Sequence, residues 1–241
     1  MTWSLVAREA DGRFGVAIAS RFFAVGALCV HTRHAVGALS TQALMNPLYG
    51  RSGIELLTLG VTPEEVVRRL TDADEGRDHR QLHMIDADGR AGAYTGTRCV
   101  EWCGHRAYAD FSVAGNMLVG PQVLEATAQT FIAMAGEPLA ERLIAAMRAG
   151  EAAGGDKRGK QAAALRIHAG EVYPSLDLRV DDHAEPLTEL GRLYDVSLER
   201  FQPFVSCLAN QLDPVGQTDR VVIESRIAAF NAERRAGVGN R

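Results

Sequence analysis

The chain opens on an alternation. Over residues 2–7, Trp3, Leu5 and Ala7 alternate with Thr2, Ser4 and Val6, the period-two pattern of a strand. Ala10-Asp11-Gly12 supplies an Asp-Gly hairpin turn. Residues 14–19 are apolar on both faces, as in a central buried strand. Short strands are expected over 27–31 and 35–41, then a helix over 47–59 ending at Gly60. Thr62-Pro63-Glu64-Glu65 reads as a helix start, with Thr62 as N-cap and Glu65 at the capping-box position. Val66, Val67 and Leu70 give that helix its apolar face.

Residues 81–85 and 91–94 flank Asp86-Ala87-Asp88-Gly89 as a second hairpin, and 111–114 is a strand leading into Gly115-Asn116. Helices are expected over 121–134 and 138–148, each opened by a proline. A loop at 154–160 precedes a third hairpin, 162–168 and 171–180, turning at Ala169-Gly170. Leu187, Leu190, Tyr194, Leu198 and Phe201 keep helical spacing; a last helix covers about 218–235, and 237–241 are expected to fray. Strands arrive in hairpins rather than alternating singly with helices. The pattern therefore predicts an α+β fold with antiparallel sheets and helices packed outside, not a doubly wound parallel sheet. The stretch 181–186 reads as the boundary between a core domain, 1–183, and a C-terminal helical extension, 184–241, packed on that core.

Composition narrows the function classes. The net charge is −4 with acidic and basic residues interspersed, which recommends neither nucleic acid nor a membrane surface as partner. No apolar run reaches the roughly 20 residues that span a bilayer, and the first residues lack a basic n-region and cleavage site. Cys29, Cys99, Cys103 and Cys207 are too few for a disulfide framework and read as reduced thiols, so a cytoplasmic location is expected.

The chemistry starts at Thr2. Methionine aminopeptidases generally remove Met before a small residue, so loss of Met1 would leave Thr2 as the N-terminus. Its hydroxyl and α-amine then sit on one residue, and an α-amine with an unperturbed pKa of roughly 7.7–8.0 can accept the hydroxyl proton near neutrality. A threonine at position 2 usually means only an easily processed start. Here it begins a strand that hairpins into a buried one, which would fix it in space. Asn116 is a candidate oxyanion donor, the plainer role being to shape the turn after Gly115.

These residues carry a resemblance. Residues 2–8, the hairpin and the run 16–26 resemble a bacterial and archaeal family known as domain of unknown function 1028. So do Thr41-Gln42-Ala43, Tyr49-Gly50, His79-Arg80-Gln81-Leu82, 114–118 and 154–161, covering about residues 2–183. The family is regarded as similar to the N-terminal-nucleophile (Ntn) hydrolases. The resemblance implies a four-layer αββα sandwich of two antiparallel sheets with outer helices. More distantly, the element order is similar to a proteasome β-subunit. On that likeness Ser20 and Arg21 lie beside Thr2, while the lysine of the proteasome pattern is replaced by Arg33 or His34.

Other motifs weigh less. Gly154–Lys160 matches Gly-x4-Gly-Lys, but Gln161 stands where a P-loop needs Ser or Thr, and the segment follows a helix and enters a strand. The loop's Asp156, Lys157 and Lys160 are instead candidates to bind a substrate carboxylate, with Thr41 and Gln42 as further substrate-binding candidates on the resemblance. A solvated turn is the simpler reading of that loop. His79 and His83 on one strand would lie about 13 Å apart, too far to share an ion, and Cys99-x3-Cys103 lacks a second ligand pair. The sequence thus predicts an amidohydrolase with catalytic Thr2, Ser20, Arg21 and Asn116, acting on a small or peptide-derived amide without metal or cofactor. A non-catalytic small-molecule-binding protein on the same fold is the alternative. A homo-oligomer is compatible with either.

Overall fold

The computed structural model describes residues 2–238. The expected loss of Met1 lies outside them, as does fraying beyond 238. The chain divides into two compact units, Met1–Leu190 and Gly191–Arg241. In the first, β1 (Thr2–Arg8), β2 (Phe14–Ser20), a helical turn α1 (Gly26–Cys29), β3 (Val30–Arg33) and β4 (Gly37–Ala43) lead to α2 (Leu48–Thr58) and α3 (Pro63–Asp72). Then follow β5 (Arg80–Asp86), β6 (Ala91–Thr95), β7 (Trp102–Ala107) and β8 (Phe111–Leu118). After α4 (Gln122–Ala133) and α5 (Leu139–Ala152) come β9 (Ala162–His168) and β10 (Leu176–Val180). Helix α6 (Pro186–Glu199) runs across the division, and α7 (Phe201–Val205) and α8 (Arg220–Val238) complete the second unit. There Arg200 donates to Glu224 at 2.9 Å, and Asn231 donates to the Glu199 carbonyl at 2.8 Å.

The strands form a six-stranded sheet, order β10-β9-β2-β1-β8-β7, and a four-stranded sheet, order β3-β4-β5-β6. Their pairings are antiparallel. Strand alternation decides what fills each layer. On β1, Trp3 faces outward toward Gly150 of α5, and Gly15 of β2 lies against Leu139 and Leu143 of the same helix. The alternate residues face the other sheet: Val6, Val16 and Ile18 pack with Ala38 and Ile85. On the far side, Leu39, Leu82 and Met84 of the four-stranded sheet pack with Leu57 of α2 and Val66 and Val67 of α3. The order is helix, sheet, sheet, helix: the four-layer α+β sandwich expected.

Local differences have physical reasons. The strand expected over 27–31 is split into α1 and β3. Gly26 sits so close to β9 that a Cβ there would lie 2.3 Å from the Ala164 Cβ, and a helical turn carries the chain from one sheet to the other. Thr62 makes no side-chain cap, and the Glu65 carboxylate, instead of reaching back to the Thr62 amide, pairs with Arg68 and Arg69 at 2.7 and 2.6 Å. Strand β7 carries no clear alternation. It is an edge strand with a register shift between Trp102 and Gly104, and bulged edges blur the period-two signal. Strand β8 does not stop at Ala114 but runs through Gly115 and Asn116 to Leu118.

Candidate functional site

The register of three strands builds the site. Thr2 pairs with Ser20 of β2 on one side and with Asn116 of β8 on the other. The three form one row across the end of the six-stranded sheet, at 6%, 1% and 2% exposure. The Thr2 and Ser20 hydroxyls are 3.0 Å apart and hydrogen-bonded. Asn116 Nδ2 donates to Gln81 Oε1 at 3.1 Å and, weakly, to the Thr2 carbonyl at 3.4 Å. Its Oδ1 makes no hydrogen bond to the described residues.

Behind this row runs a buried polar seam between the sheets. Gln42 Nε2 donates to Gln81 Oε1 at 2.7 Å, and Ser4 Oγ donates to Gln42 Oε1 at 2.8 Å. Ser4 and His83 Nε2 are 2.7 Å apart, and His83 Nδ1 and Ser112 Oγ are 3.0 Å apart. Since the single Ser4 proton goes to Gln42, His83 Nε2–H donates to Ser4 and Nδ1 accepts from Ser112. Burial, and then the nearby His105, depress the His83 pKa to about 3, so the ring is neutral at pH 7. Ser4, Gln81, His83 and Ser112 have no solvent access. Ser4–His83 is therefore a structural pair, not a nucleophile and its base. Such satisfied networks hold buried groups in one arrangement.

A pocket of about 350 Å³ opens over the row, within the common range for small-ligand sites. Thr2 and Asn116 lie on its lining with Ala43, Leu44, Met45, Cys99, Val100 and Met117, and Phe22 stands at its rim, 52% exposed. Ala43 and Met117 hold left-handed φ values of 69° and 55°, which cost a residue with a Cβ roughly 1 kcal/mol or more and tend to gather at functional sites. The wall after β4 is tethered from behind: Asp74 accepts from Tyr49 at 2.7 Å, from Asn46 at 3.2 Å and from Arg80 at 3.2 Å, and Arg80 also donates to the Leu44 carbonyl. Burial opposes ionisation of Asp74, but these bonds and the Gly76 amide outweigh it and hold its pKa at about 2. Burial, then Cys103, pushes the Cys99 thiol up, so it is no thiolate at neutral pH.

The sequence-nominated residues divide. Thr2, Ser20 and Asn116 are brought together. The Arg21 amide donates to Asp156 Oδ2 at 3.0 Å, and its guanidinium to the Lys160 carbonyl at 3.3 Å. Asp156 also accepts from the Arg158 amide at 2.7 Å, and so fastens the glycine loop to the end of β2. Lys157 meets Glu101 at 3.5 Å, and Lys160 meets Glu151 at 3.4 Å and also Glu185. Neither lysine lines the pocket; Arg158 does. Gln42 belongs to the seam, whereas the Thr41 hydroxyl donates to the Asn46 carbonyl at 3.2 Å. Arg33 and His34 lie at the opposite end of the sandwich: Arg33 pairs in register with Gly37, and His34 approaches Gly12 of the first hairpin turn. His79 ends a short 3-10 turn on the pocket lining while His83 sits in the seam, so the two do not share a site. Among the described residues no group of three or more His, Cys, Asp or Glu is placed to hold a metal ion.

Reading from sequence missed Arg98 and Arg158 on the lining and the seam itself. The seam had a signal: Ser40, Gln42, Gln81 and His83 are polar residues at the inward positions of strands that are otherwise apolar. No described helix is long and apolar enough to cross a membrane.

Comparison with known proteins agrees with this architecture. The model of a family described as of unknown function, DUF1028, matches residues 2–190, which bears out the expected resemblance and carries it slightly further. The crystal structure of a protein from Silicibacter pomeroyi assigned to that family is 28% identical, with a TM-score of 0.84 over 91% of this chain and 96% of that one. Anbu, an ancestral β-subunit from Yersinia bercovieri, is 13% identical with a TM-score of 0.37, over 81% of this chain and 94% of that one. No curated protein matches the chain.

Proposed function

We propose, starting from the plain fact that the chain belongs to the DUF1028 family, that it is an N-terminal-nucleophile amidohydrolase whose nucleophile is Thr2 after removal of Met1. The observation that carries the reading is the placement of Thr2. It opens a buried central strand, its hydroxyl is hydrogen-bonded to Ser20, and it lies on the lining of the pocket. Thr2 Oγ attacks the amide carbonyl, its proton passing to the neutral α-amine. That amine, with Ser20 beside the hydroxyl, delivers the proton to the departing nitrogen, and the C–N bond breaks to leave an ester on Thr2. Water, deprotonated by the same amine, releases the acid and regenerates the hydroxyl.

The seam refines the part given to Asn116. Its amide N–H groups are already engaged by Gln81 and the Thr2 carbonyl, which leaves Oδ1 to accept from the Thr2 ammonium. For the oxyanion we assign the backbone N–H of Met45, a pocket residue whose amide makes no hydrogen bond to the described residues. Arg21 and Asp156 serve by fixing the loop that walls the site. The mass of the N-terminal peptide of natively expressed protein tests the premise. Peptides beginning at Thr2 are expected; a chain that keeps Met1 leaves the amine acylated and ends the proposal, in favour of a small-molecule-binding protein.

A further inference from the structure

The glycine loop was the sequence's candidate for holding a substrate carboxylate, yet its lysines are engaged by Glu101, Glu151 and Glu185. The cations on the pocket are different residues. Arg98 and Arg158 line it together with His79, and no Asp or Glu is among the lining residues. Arg158 is 3.5 Å from Asp156. Arg98 donates its backbone amide to the Asp78 carbonyl, but its guanidinium makes no hydrogen bond or ion pair with the described residues. Apart from Thr2, Asn116 and Cys99, the rest of the lining is apolar: Phe22, Ala43, Leu44, Met45, Val100 and Met117. A cationic patch at this concave, largely apolar site, on a chain of net charge −4, draws anions locally against the overall sign.

We infer that the site takes a monoanionic amide of the N-acyl amino acid class: an apolar side chain seated against Leu44, Met45, Val100 and Met117, and a carboxylate held by the Arg98 guanidinium with support from Arg158. The carboxylate follows from the donor. A planar guanidinium fork matches its two oxygens. The single charge follows from the neighbourhood, since Asp156 already offsets Arg158 and leaves Arg98 as the uncompensated cation. A pocket of about 350 Å³ suits a ligand of one or two residues rather than a long peptide. This inference rests on the Thr2 site being the ligand site, but not on Thr2 being reactive.

Calorimetric titration of the full chain with N-acetylleucine, N-acetylleucinamide and N-acetylglycine tests it, in wild type, Thr2→Ala and Arg98→Gln. N-acetylleucine is expected to bind at least about tenfold more tightly than the other two, in keeping with a charge-assisted hydrogen bond and a buried apolar side chain. The preference over the carboxamide should survive in Thr2→Ala and vanish in Arg98→Gln, the affinity for the carboxamide itself staying unchanged. A carboxamide that binds wild type as well as the acid overturns the inference. So does an unchanged preference in Arg98→Gln, or no binding of N-acetylleucine at millimolar concentration. Because the Thr2→Ala titration reads binding alone, an unreactive Thr2 would sink the catalytic proposal and leave this result standing.

Discussion

At the scale of single residues, the site is a row of three small polar side chains, and what sets it apart is what lies behind them. Thr2, Ser20 and Asn116 are held by strand register, and Asn116 leans on Gln81, Gln42, Ser4 and His83 in turn. The neutral His83 makes the seam sensitive to acid. Its folded pKa of about 3 lies below the ordinary value of 6.5, so the unfolded chain binds the extra proton between those limits. The stability from His83 is fully present above pH 6.5 and is lost as pH falls toward 3. Urea denaturation from pH 7 to pH 4 should show a fall steepening by up to about 1.4 kcal/mol per pH unit for this one proton, and His83→Gln should remove that component. An equal pH slope in the variant would show that the ring is not buried neutral. Thr2 was legible in sequence through its position at the start of a strand that hairpins into a buried one, and Ser20 through the resemblance that set it beside Thr2. Arg98 was not, since an exposed arginine between strands looks like any surface charge until the fold brings it to a pocket.

At the scale of elements, the hairpins were legible because turns and alternation are local signals. Strand β7 was not, because its bulge breaks the alternation, and neither was the continuation of β8, because it is defined by pairing with a distant strand: Asn116 is a strand residue only because Thr2 lies opposite it. The same limit hid α1, whose shape is set by the approach of its first residue to β9. That approach is testable. In Gly26→Ala the new methyl would lie 2.3 Å from the Ala164 Cβ, and both atoms are fixed directly to backbone. Overpacking of this kind costs about 1–3 kcal/mol, so the denaturation midpoint should fall accordingly with the slope unchanged. Wild-type stability in Gly26→Ala would mean that the helical turn does not pack on β9 as described.

At the scale of the whole molecule, the four layers explain why the candidate site lies where it does. Two sheets packed face to face leave their interior open only at the ends, and the chain places its second residue at one such end. The family match stops at residue 190, where the first compact unit also ends, so the site belongs wholly to the part shared with the family. Antiparallel sheets with helices outside could be read from the succession of hairpins and helices, and the four-layer order from the family resemblance. The identity of the pocket wall could not, because it is assembled from seven separate stretches of chain, at residues 2, 22, 43–45, 79, 98–100, 116–117 and 158. The central claim is that Thr2 is the nucleophile of this assembly. Treatment of the processed full-length protein with a β-lactone probe, followed by peptide mapping by mass spectrometry, addresses it most directly. The account predicts one acyl adduct on the peptide beginning at Thr2, absent in Thr2→Ala. Labelling confined to Cys99 or another side chain, with Thr2 exposed and unmodified, would contradict it.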